Sequence, residues 1–457
     1  MKKIILFCVI NLILINLNAQ DLIIKGGFYF DVLKKEMVKN DRILIISGKF
    51  LSIGGVKDID NIPVIYLEDS DYILPGIIDV HAHYKVHISG KERTDTASLP
   101  KIYLANGVTT TFTAGEIEPE KIITLKKQIN QNQRQGPRIF NAGPYFGYDG
   151  NSVNNYWKKG YSQKEIEELV DTWADKGIHG IKVKNVTPFE LKIIIQRAHL
   201  HGLTVTGHLD SGFDGTVNSD DAINMGIDRV EHFLGGSTLA DSISAYNTLA
   251  KANPFDIRFD SIINKFIQNQ IFYSPTISTY GMVGNSEDKA LSDWIDQLKF
   301  FTSYASKIIE NQPSGLPFHL MMNNIYEYKK HEIKRFYDAG GKDLIVLGTD
   351  RQLRNGDIGG FGVHKEMSVL SDCGIPNNDI LNIASINGAN ALGVGNSLGS
   401  IEVSKWADLY IVKGNPIEDI GNTKNVHTVI KNGEIYDPKA LLDSVVRKLG
   451  PDNSEGW

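Results

Sequence analysis

The segment Ile77-Ile78-Asp79-Val80-His81-Ala82-His83 sets two imidazoles two residues apart, and on an extended strand such residues face the same way. Two imidazoles on one face are a preformed chelate for a metal ion. Further along, Gly207-His208, Glu231-His232 and Gly348-Thr349-Asp350 each close a strand-like run, and Lys182 and Lys184 share one face of another. A single histidine at a strand end is usually structural, and an aspartate after Gly-Thr is commonly a turn or cap residue. Four histidines and an aspartate that end four strands of one fold are a metal site, because the fold gathers those ends. The other histidines (His87, His179, His199, His201, His319, His331, His364 and His427) read as ordinary loop, helix or small-domain residues, with His364 held open because it closely follows the last run.

Such residues need a scaffold that brings strand ends together. Eight strand-like runs alternate with helical patterns: Leu74 to His83, Val108 to Ala114, Arg138 to Tyr145, Ile181 to Val186, Thr204 to Leu209, Arg229 to Phe233, Phe272 to Ser278 and Leu344 to Asp350. Between them, Ser162-Gln163-Lys164-Glu165 and Thr187-Pro188-Phe189-Glu190 are capping boxes that start helices running to Gly177 and Gly202. This order predicts an α/β fold, a (β/α)8 barrel over residues 71–394, whose working residues sit at the carboxyl ends of the strands. Short strands recur near both termini, at Leu22 to Ile24, Arg42 to Ile46 and Val64 to Leu67, then at Ala407 to Val412 and Val426 to Lys431 with Asn432-Gly433 as a hairpin turn. They predict a small β domain composed of residues 21–70 and 395–437, followed by a tail at 438–457. The stretch from Gly284 to His331, with Trp294, Phe300, Phe301, Tyr304 and Phe318, matches no motif and reads as outer helices rather than a lid.

Composition narrows the function. A chain of 457 residues with 42% hydrophobic and 22% charged residues belongs with ordinary globular proteins. Its net charge of -6 offers no basic footprint for nucleic acid. Lys2 and Lys3, the apolar run Ile4 to Leu17 and Asn18-Ala19-Gln20 read as a signal peptide over residues 1–20, too short to span a bilayer. Export to the periplasm or the exterior follows, with no membrane span after cleavage near Ala19 or Gln20. Cys8 leaves with the leader, so Cys373 remains alone and no internal disulfide forms.

The chain resembles the amidohydrolase superfamily, in its imidazolonepropionase and prolidase-like branch. The residues that carry the resemblance are Leu74-Pro75-Gly76 through His83, Gly107-Val108-Thr109-Thr110, Gly136-Pro137-Arg138 and Ile181-Lys182-Val183. They continue with Val205-Thr206-Gly207-His208, Val230-Glu231-His232, Gly348-Thr349-Asp350, Gly399-Ser400-Ile401-Glu402, Ala407-Asp408-Leu409 and Gly414-Asn415-Pro416. The resemblance implies a distorted (β/α)8 barrel with a small β-sandwich domain from both termini, and one or two divalent ions, with His81, His83 and Asp350 on one metal and His208 and His232 on a second; mixed imidazole and carboxylate donors make zinc the expected ion. It also implies Lys182 between them, carboxylated to an anionic bridge because an ammonium cannot ligate a cation. Lys184 is the rival bridge or a substrate-facing charge.

A divalent metal lowers the pKa of water toward 7 and polarises a carbonyl, and Asp350 is the expected catalytic proton shuttle to the departing nitrogen. The expected reaction is hydrolysis of a C-N bond in a small-molecule or dipeptide-like substrate, peptides ending in proline or other N-acyl amino acids ahead of cyclic amides. Tyr84, Tyr145 and Arg351 are substrate contacts by position. Lactone or phosphotriester hydrolysis on the same site, and a metal-binding homologue without activity, are the alternatives. A homo-oligomer is compatible with all of them.

Overall fold

The computed structural model describes residues 21–55, 61–147, 156–235, 238–311, 316–351 and 357–457. The leader expected over 1–20 lies outside them.

The fold is mixed α/β, with two parallel sheets at its centre. Ile77–Ala82, Val108–Thr113 and Arg138–Asn141 form a three-stranded sheet, with Val108–Thr113 in the middle. Tyr145–Phe146, Gly180–Lys184, Thr204–His208, Arg229–Glu231 and Phe272–Ser274 form a five-stranded one in that order. Parallel neighbours need crossover connections, and the helices Gln163–Asp175 and Pro188–Leu200 provide two of them. Both start on the expected capping boxes: Glu165 and Glu190 donate their backbone N–H to Ser162 Oγ and Thr187 Oγ1, and their carboxylates accept from the Ser162 and Thr187 backbone. Ile166, Val170 and Trp173, spaced at three or four residues, are buried by that geometry.

Four expected strands are reshaped. Leu74 to His83 breaks at Gly76, where a Cβ would fall 2.0 Å from Thr109 Oγ1, so the chain leaves one sheet at Pro75 and enters another at Ile77. Arg138 to Tyr145 divides into Arg138–Asn141 and Tyr145–Phe146 around Gly143, whose φ is 68°. Phe272 to Ser278 stops at Ser274: Thr276 turns left-handed at φ 47°, and Ile277–Val283 is a helix whose first amides, those of Ile277 and Ser278, donate to the Glu366 carboxylate at 2.9 and 2.8 Å. Leu344 to Asp350 makes only an isolated parallel bridge, Ile345 with Tyr273, and scattered bonds to two neighbours in place of a continuous ladder. Val346 N donates to Tyr273 O, whereas Val80 N donates to Leu347 O and Asp350 N to His81 O.

The terminal segments meet in one eight-stranded sheet. Its main path runs Glu434–Tyr436, Val426–Lys431, Leu409–Lys413, Val64–Pro75, Leu22–Asp31, Ile43–Ile46, Lys49–Ile53, and Glu36–Lys39 pairs with Leu22–Asp31 off that path. Asn432 and Gly433, with φ of 52° and 77°, make the tight hairpin between the first two. This sheet has its own apolar cluster around Leu22, Ile43, Phe50, Ile73 and Leu409. Val64–Pro75 passes without a break through the expected boundary at residue 70.

The unassigned stretch is helical, with Ser303–Glu310 and the long helix Leu316–Asp338. Residues 438–457 are not a loose tail: Leu441, Val445 and Leu449 are buried, and Thr302 N donates to Leu449 O.

Candidate metal centre

The carboxyl ends of the parallel strands converge on a cavity of about 210 Å³. His81, His83, Lys182, His208, His232 and Asp350, the six expected ligands, all line it. His81 and His83 stand where Ile77–Ala82 ends, held by a knot of hydrogen bonds. The Asp79 carboxylate accepts from His81 N, Thr349 N and Thr349 Oγ1, and Asp350 N donates to His81 O at 2.9 Å. The knot fixes the first strand to the turn that carries Asp350. Burial pushes the Asp79 carboxyl up to about 6 in spite of those donors.

Asp350 Oδ1 lies 3.0 Å from His83 Nε2 and 3.3 Å from His81 Nε2. The rings of His81 and His232 are 5.0 Å apart, and those of His208 and His232 are 4.3 Å apart. His81, His232 and Asp350 offer ligand atoms within 4.8 Å of one another, which fits one divalent ion, and His208 extends the group toward a second. His232 sits in left-handed backbone (φ 74°), a conformation uncommon for a residue other than glycine and held here by its neighbours. Its amide donates to Ser274 O, its carbonyl accepts from Tyr273 OH at 3.0 Å, and its Nδ1 meets Thr276 Oγ1 at 2.8 Å. With Nδ1 donating to Thr276, the lone pair stays on Nε2 for a metal.

Electrostatics agree with this geometry. Burial holds His81 down to about 3 and depresses His83, His208 and His232 as well, so the imidazoles are neutral, the form that ligates. Burial opposes the charge on Asp350, and His81 and His83 beside it overcome that and keep its carboxyl well below the usual range. His81 Nδ1 is buried and makes no hydrogen bond, although Glu231 Oε2 is 3.4 Å away. An orphaned imidazole nitrogen in a cluster of ligand atoms suits a metal site.

Lys182 is buried at the cavity floor with its ammonium against the Glu231 carboxylate, whose other oxygen accepts from Thr206 Oγ1. Lys184, two residues nearer the mouth, is half-buried and paired in register with His208. Glu231 was not among the expected site residues: strict alternation turns the residue before His232 away from the site, and the left-handed backbone at His232 breaks that alternation. Thr276, Thr279, Tyr246 and Tyr280 also escape sequence reasoning, because they follow strands on segments without a motif. Tyr246 OH is 3.5 Å from His208 Nε2.

Of the residues expected as substrate contacts, Tyr145 and Arg351 line the cavity and Tyr84 does not. Tyr84 follows His83 on an extended chain and so points the opposite way, into the core, where its hydroxyl bonds Thr111 Oγ1. His364 is also remote: it is buried behind the site, bonded to Thr423 Oγ1 and packed on Trp294. Phe318 and Met322, from the stretch expected to form outer helices only, join Met282 and Val283 in the cavity wall.

Comparison with known proteins gives concordant matches. The amidohydrolase family matches residues 72–436. N-acetylglucosamine-6-phosphate deacetylase of Bacillus subtilis (strain 168) is 23% identical over 419 residues, covering 86% of this chain and 93% of the relative. A crystal structure of a Xaa-Pro dipeptidase with bound methionine superposes with a TM-score of 0.68 at 23% identity, over 92% of this chain and 100% of the other. Molinate hydrolase does so with 0.68 at 17% identity, over 95% and 98%.

Proposed function

Given that the chain belongs to the amidohydrolase family, we propose that it hydrolyses the C-N bond of a small amide, a dipeptide or other N-acyl amino acid, by a metal-dependent mechanism. One observation carries the reading: four histidines and an aspartate line one small cavity where parallel strands end. A deacetylase and a dipeptidase among the relatives support C-N cleavage.

His81, His83, His208, His232 and Asp350 would hold one or two divalent ions, zinc first, and such an ion supplies an acidified water and a polarised carbonyl. The protein's own part is positioning and proton traffic. Asp350, kept ionised and 3.0 Å from His83, accepts the proton of the attacking water and returns it to the departing nitrogen. Tyr273 and Thr276 hold His232, and Asp79 holds His81.

In this reading Lys182 is the carboxylated bridge, since it is the buried lysine at the floor, and Lys184 faces substrate. A carbamate there would set two anions, itself and Glu231, in contact in a dry site, so the carbamate belongs with two metals and the Lys182–Glu231 ion pair with one. The two parallel sheets, joined through residues 344–350, are read as a distorted (β/α)8 barrel over 71–394, with the terminal sheet as a composite β-sandwich domain. The first 20 residues are read as a cleaved leader, so the enzyme meets peptide fragments outside the cytoplasm. Among the described residues no helix is long and apolar enough to cross a membrane.

The test is a hydrolysis panel on metal-reconstituted mature protein containing dipeptides, N-acyl amino acids, lactones and phosphotriesters. Amide turnover is expected. Turnover of lactones or phosphotriesters alone would replace the amide reading, and a metal-loaded protein that turns over nothing would leave a binding protein.

A further inference from the structure

We propose that Glu332 and Lys329, one turn apart on the helix Leu316–Asp338, are positioning residues of the metal centre: acting chiefly through Tyr273, they hold the strained turn that presents His232 to the metal. This rests on the reading that His232 is a metal ligand, and not on which bond is cleaved.

The need for a clamp comes from the backbone. The Phe233 amide donates to Glu231 O at 3.0 Å across His232, whose φ is 74°, so the three residues form a γ-turn of the rare, strained kind. A residue other than glycine leaves such a conformation unless its surroundings over-determine it. One side of the turn is tied to the neighbouring strand, where the His232 amide donates to Ser274 O at 2.9 Å. The His232 carbonyl and the Leu234 amide need partners elsewhere.

Glu332 serves both. The Tyr273 hydroxyl hydrogen lies between two acceptors, Glu332 Oε2 at 2.6 Å and His232 O at 3.0 Å, and Leu234 N donates to Glu332 Oε1 at 3.4 Å. Lys329 Nζ donates to the Tyr273 oxygen at 3.3 Å, so that hydroxyl is fixed between a cation and an anion. The same ammonium lies 5.1 Å over the Tyr280 ring and 5.9 Å over the Phe233 ring, and both rings neighbour the His232 imidazole.

Lys329 and Glu332 are buried, and neither lines the cavity. Apolar side chains of similar volume would serve the fold about as well as two buried charges, so the pair is explained by the arrangement it fixes. The helix that supplies Phe318 and Met322 to the cavity wall thus also holds a metal ligand in place from behind.

The test is zinc affinity by chelator competition, with the melting temperature of the metal-free protein recorded beside it. Lys329→Met combined with Glu332→Leu removes both charges together, so no lone buried charge is left to unfold the protein. Without the clamp, metal must draw His232 back into the left-handed turn, and affinity should fall by about 5- to 150-fold. In a Tyr273→Phe background the same two replacements should add less than about threefold, since the route through the hydroxyl is already broken. Glu332→Asp keeps the charge and withdraws it from Tyr273; it should lower affinity by about threefold or more, and it carries the test should the double variant not fold. Affinity within about twofold of the unmodified protein, or losses that simply add to that of Tyr273→Phe, would overturn the proposal whatever the melting temperature does. Crystal structures of the metal-free unmodified and variant proteins read the same claim without metal or substrate: His232 should leave the left-handed region in the variant. If the unmodified protein binds no metal, these structures decide alone, and a His232 with the same backbone in both overturns the proposal. Amide turnover does not enter, so its absence would refute the substrate reading only.

Discussion

Replacing Thr276 by Val removes one oxygen and keeps the branched shape, so it isolates a single interaction behind a metal ligand. Thr276 is fully buried in left-handed backbone, and its Oγ1 lies 2.8 Å from His232 Nδ1. Val has the same branching and the same backbone strain, so the fold should survive. What changes is that His232 Nδ1 is left in a dry environment without a partner, at a cost of about 1–3 kcal/mol. With the ring fixed by coordination, that cost falls on the metal-loaded state, and at about 1.4 kcal/mol per factor of ten it lowers metal affinity by roughly 5- to 150-fold. Partners that hold a ligating histidine commonly contribute about 10- to 100-fold, which agrees. Zinc affinity would be measured by chelator competition, with the melting temperature of the metal-free protein recorded in parallel. Thr276→Ser should keep most of the affinity. A Thr276→Val protein that melts normally and binds zinc within twofold of the unmodified one would refute the argument that this hydroxyl orients His232.

Alanine at His81, His83, His208 or His232 should lower metal content and activity together, and full activity in stably metal-free protein would rule out the metal reading. Asp350→Asn should reduce turnover by about two to four orders of magnitude, more for poor amine leaving groups than for activated esters, which steady-state kinetics on both substrate types would show. Lys182→Ala should cost at least one equivalent of metal by elemental analysis if Lys182 bridges. Glu116 is buried, with one oxygen lacking a partner, and burial pushes its carboxyl up to about 8. A carboxyl raised in the folded state stabilises below its unfolded pKa and loses that contribution as pH rises through the folded value, here a loss of at most roughly 5 kcal/mol. Glu116→Gln should therefore flatten the decline in melting temperature between about pH 5 and 9, and an unchanged pH profile would contradict the burial argument.

What was legible in the sequence was local or rested on strand alternation. The capping boxes at Ser162 and Thr187 are complete within four residues, so no distant partner is needed to recognise them. The histidines gathered at the cavity were legible because each lies at the end of a strand-like run, and Asp350 because it closes the Gly348-Thr349-Asp350 run, although that run forms no assigned strand. Strand alternation, applied one residue past His83, would have turned Tyr84 away from the site. The rest depends on distant partners. Ile277 and Ser278 leave the strand for a helix because Glu366, almost ninety residues on, accepts their amides. Glu231 gains its role only against Lys182, and Phe318 and Met322 enter the cavity through a helix that no spacing rule ties to it.

The division of labour between strand ends and that helix bears on descent. The candidate metal ligands occupy segments where backbone turns are tied to their neighbours, as Asp350 N is to His81 O and His232 N to Ser274 O, so changes there disturb the whole cluster. The Met282, Val283, Phe318 and Met322 wall hangs on two helices that carry no ligand. Mutations can accumulate in that wall and reshape the cavity while the cluster of imidazoles and Asp350 passes unaltered from one generation to the next. A lineage built this way diversifies its diet before its chemistry, and the wall is where close relatives of this chain should differ first.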